Sequence, residues 1–585
     1  MREVFKVLEP NPNLFLFMKL FFFFLFVTSS VFAQITPYEK SKGQETATYP
    51  EIMAFYRALD KKYDQAALLQ VGTTDIGQPL HLLVLSANKM FKPQAGKMVL
   101  LVNNGIHPGE PEGIDASMMW ARELLKKKAL PANVLLCIVP VYNVDGCLNR
   151  GVSRINQNGP NTYGFRANSR NYDLNRDFIK TDSKNSASWQ RLFQTWKPQI
   201  VIDNHTSNGA DYQHAVTYFP TQKDKFNPLV SAFFSRTFKP QLDQQLTEAG
   251  FQPVPYVNAF GATPESGYLG FNDGPRYSSG YASLFNCQTF VVELHMLKDY
   301  STRVKGTYAF MDIALKLATQ NAATIVANKQ KADDALTKQN TFALTWKLDR
   351  SVVDSITFKG FAAKYKPSEV SGQTRLYYDR NLPFTKTIPF YDHYVADLTI
   401  EKPRAYVLPQ SWSRVAELLK INGVQLKPLA ADTEMEVEVY YIEDYKSPAK
   451  PYEGHYNHTG VVLRKETQKI QFYKGDFLIE TNQAANRYIV ETLEPQAPDS
   501  FFAWNFFDSI LSQKEGFSAY VFEDVAAEML QKDTALKQKL EDRKKTDEAF
   551  AKNGAAQLDF IYRNSPYFEQ TFARYPVFRL MRNEF

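Results

Sequence analysis

The sequence predicts an α/β fold, a mixed and largely parallel sheet flanked by helices, followed by a β-rich C-terminal domain. Three observations carry this expectation. Short apolar runs alternate with amphipathic helical patterns from Lys97 to Lys338, as in layered α/β proteins. After Asn340 the pattern changes to aromatic and β-branched segments separated by Pro, Gly and Asp turns. Finally, 585 residues exceed what a single core can hold, since cores stop growing at roughly 250–300 residues.

Taken in order, residues 49–59 read as a helix and 69–84 as strand-like. Residues 98–102 and 134–141 are apolar strands, with a helix over 114–125 between them. A long polar loop leads to strands at 200–203 and 290–294, and residues 308–338 form a closing helix. Together these bound a first domain over residues 35–339. Residues 341–346, 436–441, 469–473 and 519–522 are expected strands of the second domain, 340–524. A helical, charged segment follows over 525–585. No solenoid or propeller repeat is visible.

At the N-terminus, Lys19 precedes an apolar run over 20–27, and Val31, Phe32 and Ala33 supply small residues for cleavage. The run is short for a bilayer span. A signal peptide over residues 1–33 is expected, with Met18 as an alternative start and a mature chain from about Gln34. The protein would be exported, periplasmic or extracellular, without a stable membrane span after cleavage. The net charge of +6 is dispersed among acidic residues, which argues against a nucleic-acid partner. Cys137, Cys147 and Cys287 are too few for a disulfide framework in so long a chain.

The eight histidines can be weighed one by one. His107 follows the 98–102 strand and its Asn-Asn-Gly exit, and Glu110 sits three residues on, before a helix begins. One strand-to-helix turn can therefore aim an imidazole and a carboxylate at a single point at the sheet's C-terminal edge, where open α/β sheets hold ligands. His205 follows a second apolar strand at the same kind of edge. Two histidines and a carboxylate leave the fourth position of a zinc ion open, as catalytic sites require. Asp203, two residues earlier on the same side of that strand, could orient an imidazole.

Glu293 is a lone carboxylate in an apolar strand, costly to bury without a partner. It reads either as half of a salt bridge or as a general base. Arg154, Arg166, Arg170 and Arg176 crowd the long loop. They suggest anion binding, though pairing with Asp173 and Asp177 would also account for them. His81, His214, His295 and His393 read as core or surface groups. His455 and His458 could form a second metal site only if a turn brought them together.

The order His107-x-x-Glu110, Asn143-x-Asp145-Gly146, Asp173-x-Asn175-Arg176, Asp203-x-His205 and a strand carrying Glu293 resembles the M14 zinc metallocarboxypeptidases over residues 97–300. The resemblance implies one Zn2+ per chain held by His107, Glu110 and His205, with Glu293 activating the metal's water as general base and acid. It further implies that Asn175 and Arg176 grip a substrate's C-terminal carboxylate. Arg166, or alternatively Arg154, would stabilise the oxyanion, and Tyr277 or Tyr281 would cap the substrate. Gly109 stands where the family usually has an arginine. The expected partner is a peptide with a free C-terminal carboxylate, from which the enzyme would remove terminal residues. A zinc deacylase or amidase acting on acyl-amino acids or cell-wall peptides is the alternative chemistry. An inactive exported protein that binds peptide or glycan is the alternative of another class.

Overall fold

The computed structural model describes residues 35–259 and 262–581, so the expected signal peptide lies outside the described residues. Eight strands form the main sheet: β1 (Ala66–Thr73), β2 (Pro79–Leu85), β3 (Met98–Asn103), β4 (Val134–Val139), β5 (Ile200–Thr206), β6 (Val216–Pro220), β7 (Val254–Pro255) and β8 (Gln288–Leu294). Their order is β1-β2-β4-β3-β5-β8-β6-β7. The central pairs β4–β3, β3–β5 and β5–β8 are parallel, while β1–β2, β2–β4 and β6–β8 are antiparallel.

The apolar runs of β3 and β4 follow from burial on both faces. Leu100 and Val102 of β3 point to one side, into a core with Ile52 and Tyr56 of α1 (Tyr49–Lys62), Ile114 and Trp120 of α2 (Glu112–Lys126) and Phe310 of the long helix α4 (Tyr300–Lys338). Val99 and Leu101 point to the other, against Trp189 and Phe193 of α3 (Lys184–Trp196). A strand covered on both faces carries no polar alternation, so β3 and β4 read as continuous apolar segments.

Beyond α4 the chain is rich in strands. Asp354–Pro367 and Thr374–Tyr391 form a long hairpin, Thr341–Leu348 pairs with Tyr394–Glu401, and a six-stranded sheet contains Ala405–Leu408, Thr433–Lys446, Thr459–Phe472 and Phe477–Glu480. This region lies against the α3 face of the main sheet. Leu408, Leu418, Tyr488, Phe501 and Trp504 join the same apolar cluster as Trp189 and Val201.

Two expectations are corrected here. Residues 519–522 open the helix Ala519–Lys532 instead of forming a strand, because Phe522 and Ala526 lie one turn apart and bury together against Leu536 and Tyr562. The closing segment is also not purely helical. Phe578–Leu580 inserts as a strand between Ala405–Leu408 and Thr433–Lys446, and three residues are too few to show a period of two. Among the described residues no helix is long and apolar enough to cross a membrane.

Candidate active site

His107 and Glu110 leave β3 on a tight turn, closed by the Glu110 N–H donating to the His107 carbonyl at 2.8 Å. Gly105 enters this turn at φ +63°, where a Cβ would also stand 3.2 Å from both Ile114 and Val141. Glycine alone meets both demands. His205 is the next-to-last residue of β5, and parallel pairing sets it directly beside Glu293 of β8. The sheet's C-terminal edge thus gathers groups from three central strands or their exits.

The metal-capable atoms of His107, Glu110 and His205 all lie within 4.8 Å of one another, and all three residues are buried. Glu110 stands between the imidazoles, its Oε1 3.4 Å from His107 Nδ1 and its Oε2 3.1 Å from His205 Nδ1. The far ring nitrogens are each held by a carboxylate: His107 Nε2 is 2.9 Å from Asp173 Oδ1, and His205 Nε2 is 3.1 Å from Asp203 Oδ2. Carboxylates on Nε2 favour a proton there and leave Nδ1 as the donor atom. His107 Nδ1 is buried without a hydrogen-bond partner, an arrangement that a cation would satisfy. Two imidazole nitrogens and one carboxylate are a donor set that zinc accepts.

Charge explains the protonation of these groups. Burial works to raise the Glu110 carboxyl, but Arg154 and the two histidines hold it well below the usual carboxylate range. Asp173 is likewise held low against burial by His107, Arg166 and Arg176. Glu293 moves the other way. Burial and the nearby charges of Glu110 and Asp203 push it up to about 7, against the pull of His205 and Arg154.

A cleft of about 250 Å³ opens over this group. His107, Glu110, His205, Glu293, Arg166, Asn175, Arg176 and Tyr277 all line it, with Phe219, Tyr256, Phe271 and Val291 as apolar walls. Asn175 and Arg176 sit on a short 3₁₀ turn, Leu174–Arg176, capped by Asp173 Oδ1 accepting the Asn175 N–H at 2.9 Å. Asn175 Oδ1 accepts the Ser278 N–H at 3.1 Å. The Arg176 guanidinium lies 4.5 Å from the Tyr277 ring centroid.

The two candidate arginines are placed differently. Arg154 donates to Glu110 and, through Nη2, to the carbonyls of Thr206 and Ser207 at 2.8 and 3.2 Å. Arg166 grips Asp173 Oδ2 through Nε and Nη2 at 3.0 and 2.7 Å, and it borders the cleft. Asn143 acts as a local tie, its Oδ1 accepting the Gly146 N–H at 2.9 Å and its Nδ2 donating to the Arg166 carbonyl at 3.0 Å.

Tyr281 is not brought to the cleft, which corrects its candidacy as a substrate contact. It lies one turn beyond Tyr277 on the helix Ser278–Ser283, fully buried among Phe178, Trp189 and Phe193, and its hydroxyl donates to Asn422 at 2.6 Å. His455 and His458 do not converge either. His455 pairs with Asp182 at 2.8 Å, while His458 lies between Ser447 and Asp508 at 2.7 and 3.0 Å. Among the described residues, His107, Glu110 and His205 are the one group of this kind.

Sequence reasoning missed several groups. The hold of Asp173 on His107 was hidden among loop carboxylates. Tyr256 and Phe271 come from irregular segments without periodicity. Tyr452 and Glu453 reach the cleft loop from the β-rich region, with only the turn-prone Glu453-Gly454 pair as a signal.

Comparisons with known proteins find similarity to carboxypeptidases. Residues 52–217 match the family model described as zinc carboxypeptidase, a span that includes His107, Glu110 and His205 and ends before Glu293. The chain is similar to carboxypeptidase 2 of Trichophyton equinum, 24% identical over 453 residues that cover 73% of this chain and 77% of that protein. Carboxypeptidase 2 of Trichophyton rubrum is 23% identical, covering 79% and 84%. Among solved structures, a metallo-carboxypeptidase from Burkholderia cenocepacia aligns with TM-score 0.35 and 17% identity over 47% of this chain and 70% of that one. The chain is thus similar to the M14 zinc carboxypeptidases, through the family match over residues 52–217 and through carboxypeptidase relatives that cover most of its length.

Proposed function

We propose that the chain is an exported zinc-dependent hydrolase that removes C-terminal amino acids from peptides. The observation that carries the reading is the register of β5 and β8, which sets Glu293 beside His205, next to the His107–Glu110 turn and in one cleft with Arg176.

His107 and His205, through Nδ1, and the Glu110 carboxylate would hold one zinc ion per chain. When bound, zinc supplies a Lewis acid that polarises a carbonyl and lowers the pKa of water. Asp173 and Asp203 fix the two imidazoles through Nε2. Arg176 and Asn175 bind the substrate's terminal carboxylate, the guanidinium as a fork and the amide as a single donor. Tyr277 flanks that site. Glu293 accepts the proton of the attacking water and returns it to the departing amine, a role suited to a carboxyl that lines the cleft directly beside His205. Arg166 supports the developing oxyanion. Arg154 is less suited, because both arginines pair with Glu110 but its side chain is only 15% exposed against 42% for Arg166.

The test is mass spectrometry of a peptide library incubated with the mature protein and the Glu293→Gln variant, both with confirmed metal content. Loss of single C-terminal residues with the unaltered protein alone is expected. Intact peptides despite one bound zinc would overturn the assignment and favour the deacylase or amidase reading. Export rests on the N-terminal apolar run, and N-terminal sequencing of the released protein checks it.

A further inference from the structure

The loop that carries Asp173, Asn175 and Arg176 does not stand alone. A two-residue turn from the β-rich region, Tyr452-Glu453-Gly454-His455, presses against it. The turn closes on itself, the Tyr452 N–H donating to the His455 carbonyl at 2.8 Å and the His455 N–H to the Tyr452 carbonyl at 3.0 Å. Each of its four residues touches the loop. The Tyr452 hydroxyl accepts the Arg176 Nε–H at 2.9 Å, and Glu453 Oε2 accepts the Asp173 N–H at 2.9 Å. Gly454 packs on the Tyr172 ring so closely that a Cβ would stand 3.0 Å from it. His455 Nε2 lies 2.8 Å from Asp182.

The backbone carries an independent mark. Glu453 has φ +51° and Gly454 φ +80°, as a type I′ turn demands at both central positions. Such positions favour Asn, Asp or Gly, and a glutamate there is strained. Strain of this kind persists where surrounding contacts over-determine it. Among the described residues the Glu453 carboxylate accepts one hydrogen bond, from the Asp173 N–H. The partners of Arg176 fit the same picture. Tyr452 takes Nε–H and the Asn175 carbonyl takes Nη1–H at 2.8 Å, while Nη2 has no acceptor among the described residues on the cleft wall.

We infer that Tyr452 and Glu453 are positioning residues for the substrate-carboxylate site, holding Arg176 and the Asp173 turn from positions 276 and 280 residues away in sequence. The inference rests on the proposed function for its substrate, a peptide ending in a free carboxylate. It also makes the β-rich region part of that site. Arg176 presents a preset fork because Tyr452 removes its rotational freedom at Nε, and less ordering is then needed on binding.

The test uses the full zinc-loaded protein and three variants, with peptide kinetics and, separately, binding of an N-acetyl amino acid as a carboxylate probe. Tyr452→Phe keeps the ring and removes the acceptor, so KM and the probe's Kd should both rise about tenfold with kcat within about twofold. Glu453→Gly relieves the strained φ but removes the acceptor. It should raise KM and Kd similarly while the melting temperature stays equal or increases. Glu453→Gln retains an acceptor oxygen and should stay within about threefold of the unaltered protein. KM and Kd unchanged within twofold in Tyr452→Phe and Glu453→Gly would overturn the inference, as would losses that track only the melting temperature. If no peptide is cleaved but the probe binds and weakens as stated, the proposed function falls and the positioning role stands. If the unaltered protein does not bind the probe, both fall.

Discussion

Replacing Arg303 by methionine should destabilise the catalytic sheet, chiefly by leaving the Glu112 carboxylate unpaired and also by removing the donor to four backbone carbonyls. Arg303 is fully buried on α4, where its Nε pairs with the equally buried Glu112 of α2. Its Nη atoms donate to the carbonyls of Asn158, Met296, Lys298 and Gly159 at 2.8, 3.1, 2.6 and 2.5 Å. Methionine fills similar volume but leaves Glu112 with the Thr206 hydroxyl alone, at 2.7 Å. Removing one partner of a buried ion pair costs about 3–5 kcal/mol. Unfolding entropy is about 2.1 cal/mol/K per residue, so a loss of about 4 kcal/mol lowers the melting temperature by about 6 °C if roughly 300 residues melt together. The drop is about 3.5 °C if the whole chain is one cooperative unit. Differential scanning calorimetry of the unaltered protein, Arg303→Met and Arg303→Met/Glu112→Gln measures this. The double variant, with a neutral amide in place of the orphaned charge, should recover at least about 1.5 kcal/mol. A drop below 1 °C, or a double variant no better than the single one, would refute the reasoning.

Further outcomes follow from the same structure. Glu293→Gln should lower kcat by about 10²–10⁴-fold with zinc content unchanged, measured by stopped-time peptide assays and metal analysis on the same sample. Asp173→Asn and Asp203→Asn should each weaken zinc binding about 10–100-fold in chelator competition, since each holds the Nε2 of one histidine. His214 is buried, accepts the Lys359 N–H at Nε2 (3.0 Å) and faces the Gln252 carbonyl through Nδ1. Burial pulls its pKa down from 6.5 to about 4. A depressed pKa means the neutral ring favours the fold above pH 6.5 and that this contribution is lost as pH falls toward 4, about 3 kcal/mol in all. Melting temperatures across this range should therefore fall less steeply in His214→Gln than in the unaltered protein. Gly113→Ala should cost about 1–3 kcal/mol, because its Cβ would stand 2.5 Å from Asn104 Oδ1 and Asn204 Cβ where α2 meets the sheet; urea unfolding reads this.

What the sequence determined by itself is the part of the molecule in which chemistry follows from local periodicity. Strands β3, β4, β5 and β8 announce themselves as apolar runs because both of their faces are buried. A polar residue at the end of such a run, His107 or His205, or within it, Glu293, is conspicuous because burial makes it costly. Spacing along one turn was enough to associate His107 with Glu110. Tertiary structure alone decided which distant groups meet. Tyr277 and Tyr281 look equivalent in sequence, yet one helical turn sends the first to the cleft and the second into the core beside Trp189. Arg154 and Arg166 look alike in the loop, and only the fold shows that both pair with Glu110 while Arg166 alone borders the cleft, its side chain 42% exposed against 15% for Arg154. The arrival of Tyr452 and Glu453 beside Arg176 and Asp173 had no periodic signature, because contacts across nearly three hundred residues depend on how the β-rich region docks on the face of the main sheet. Pattern along a chain encodes which face is buried, whereas the partner that buries it is chosen by packing in three dimensions.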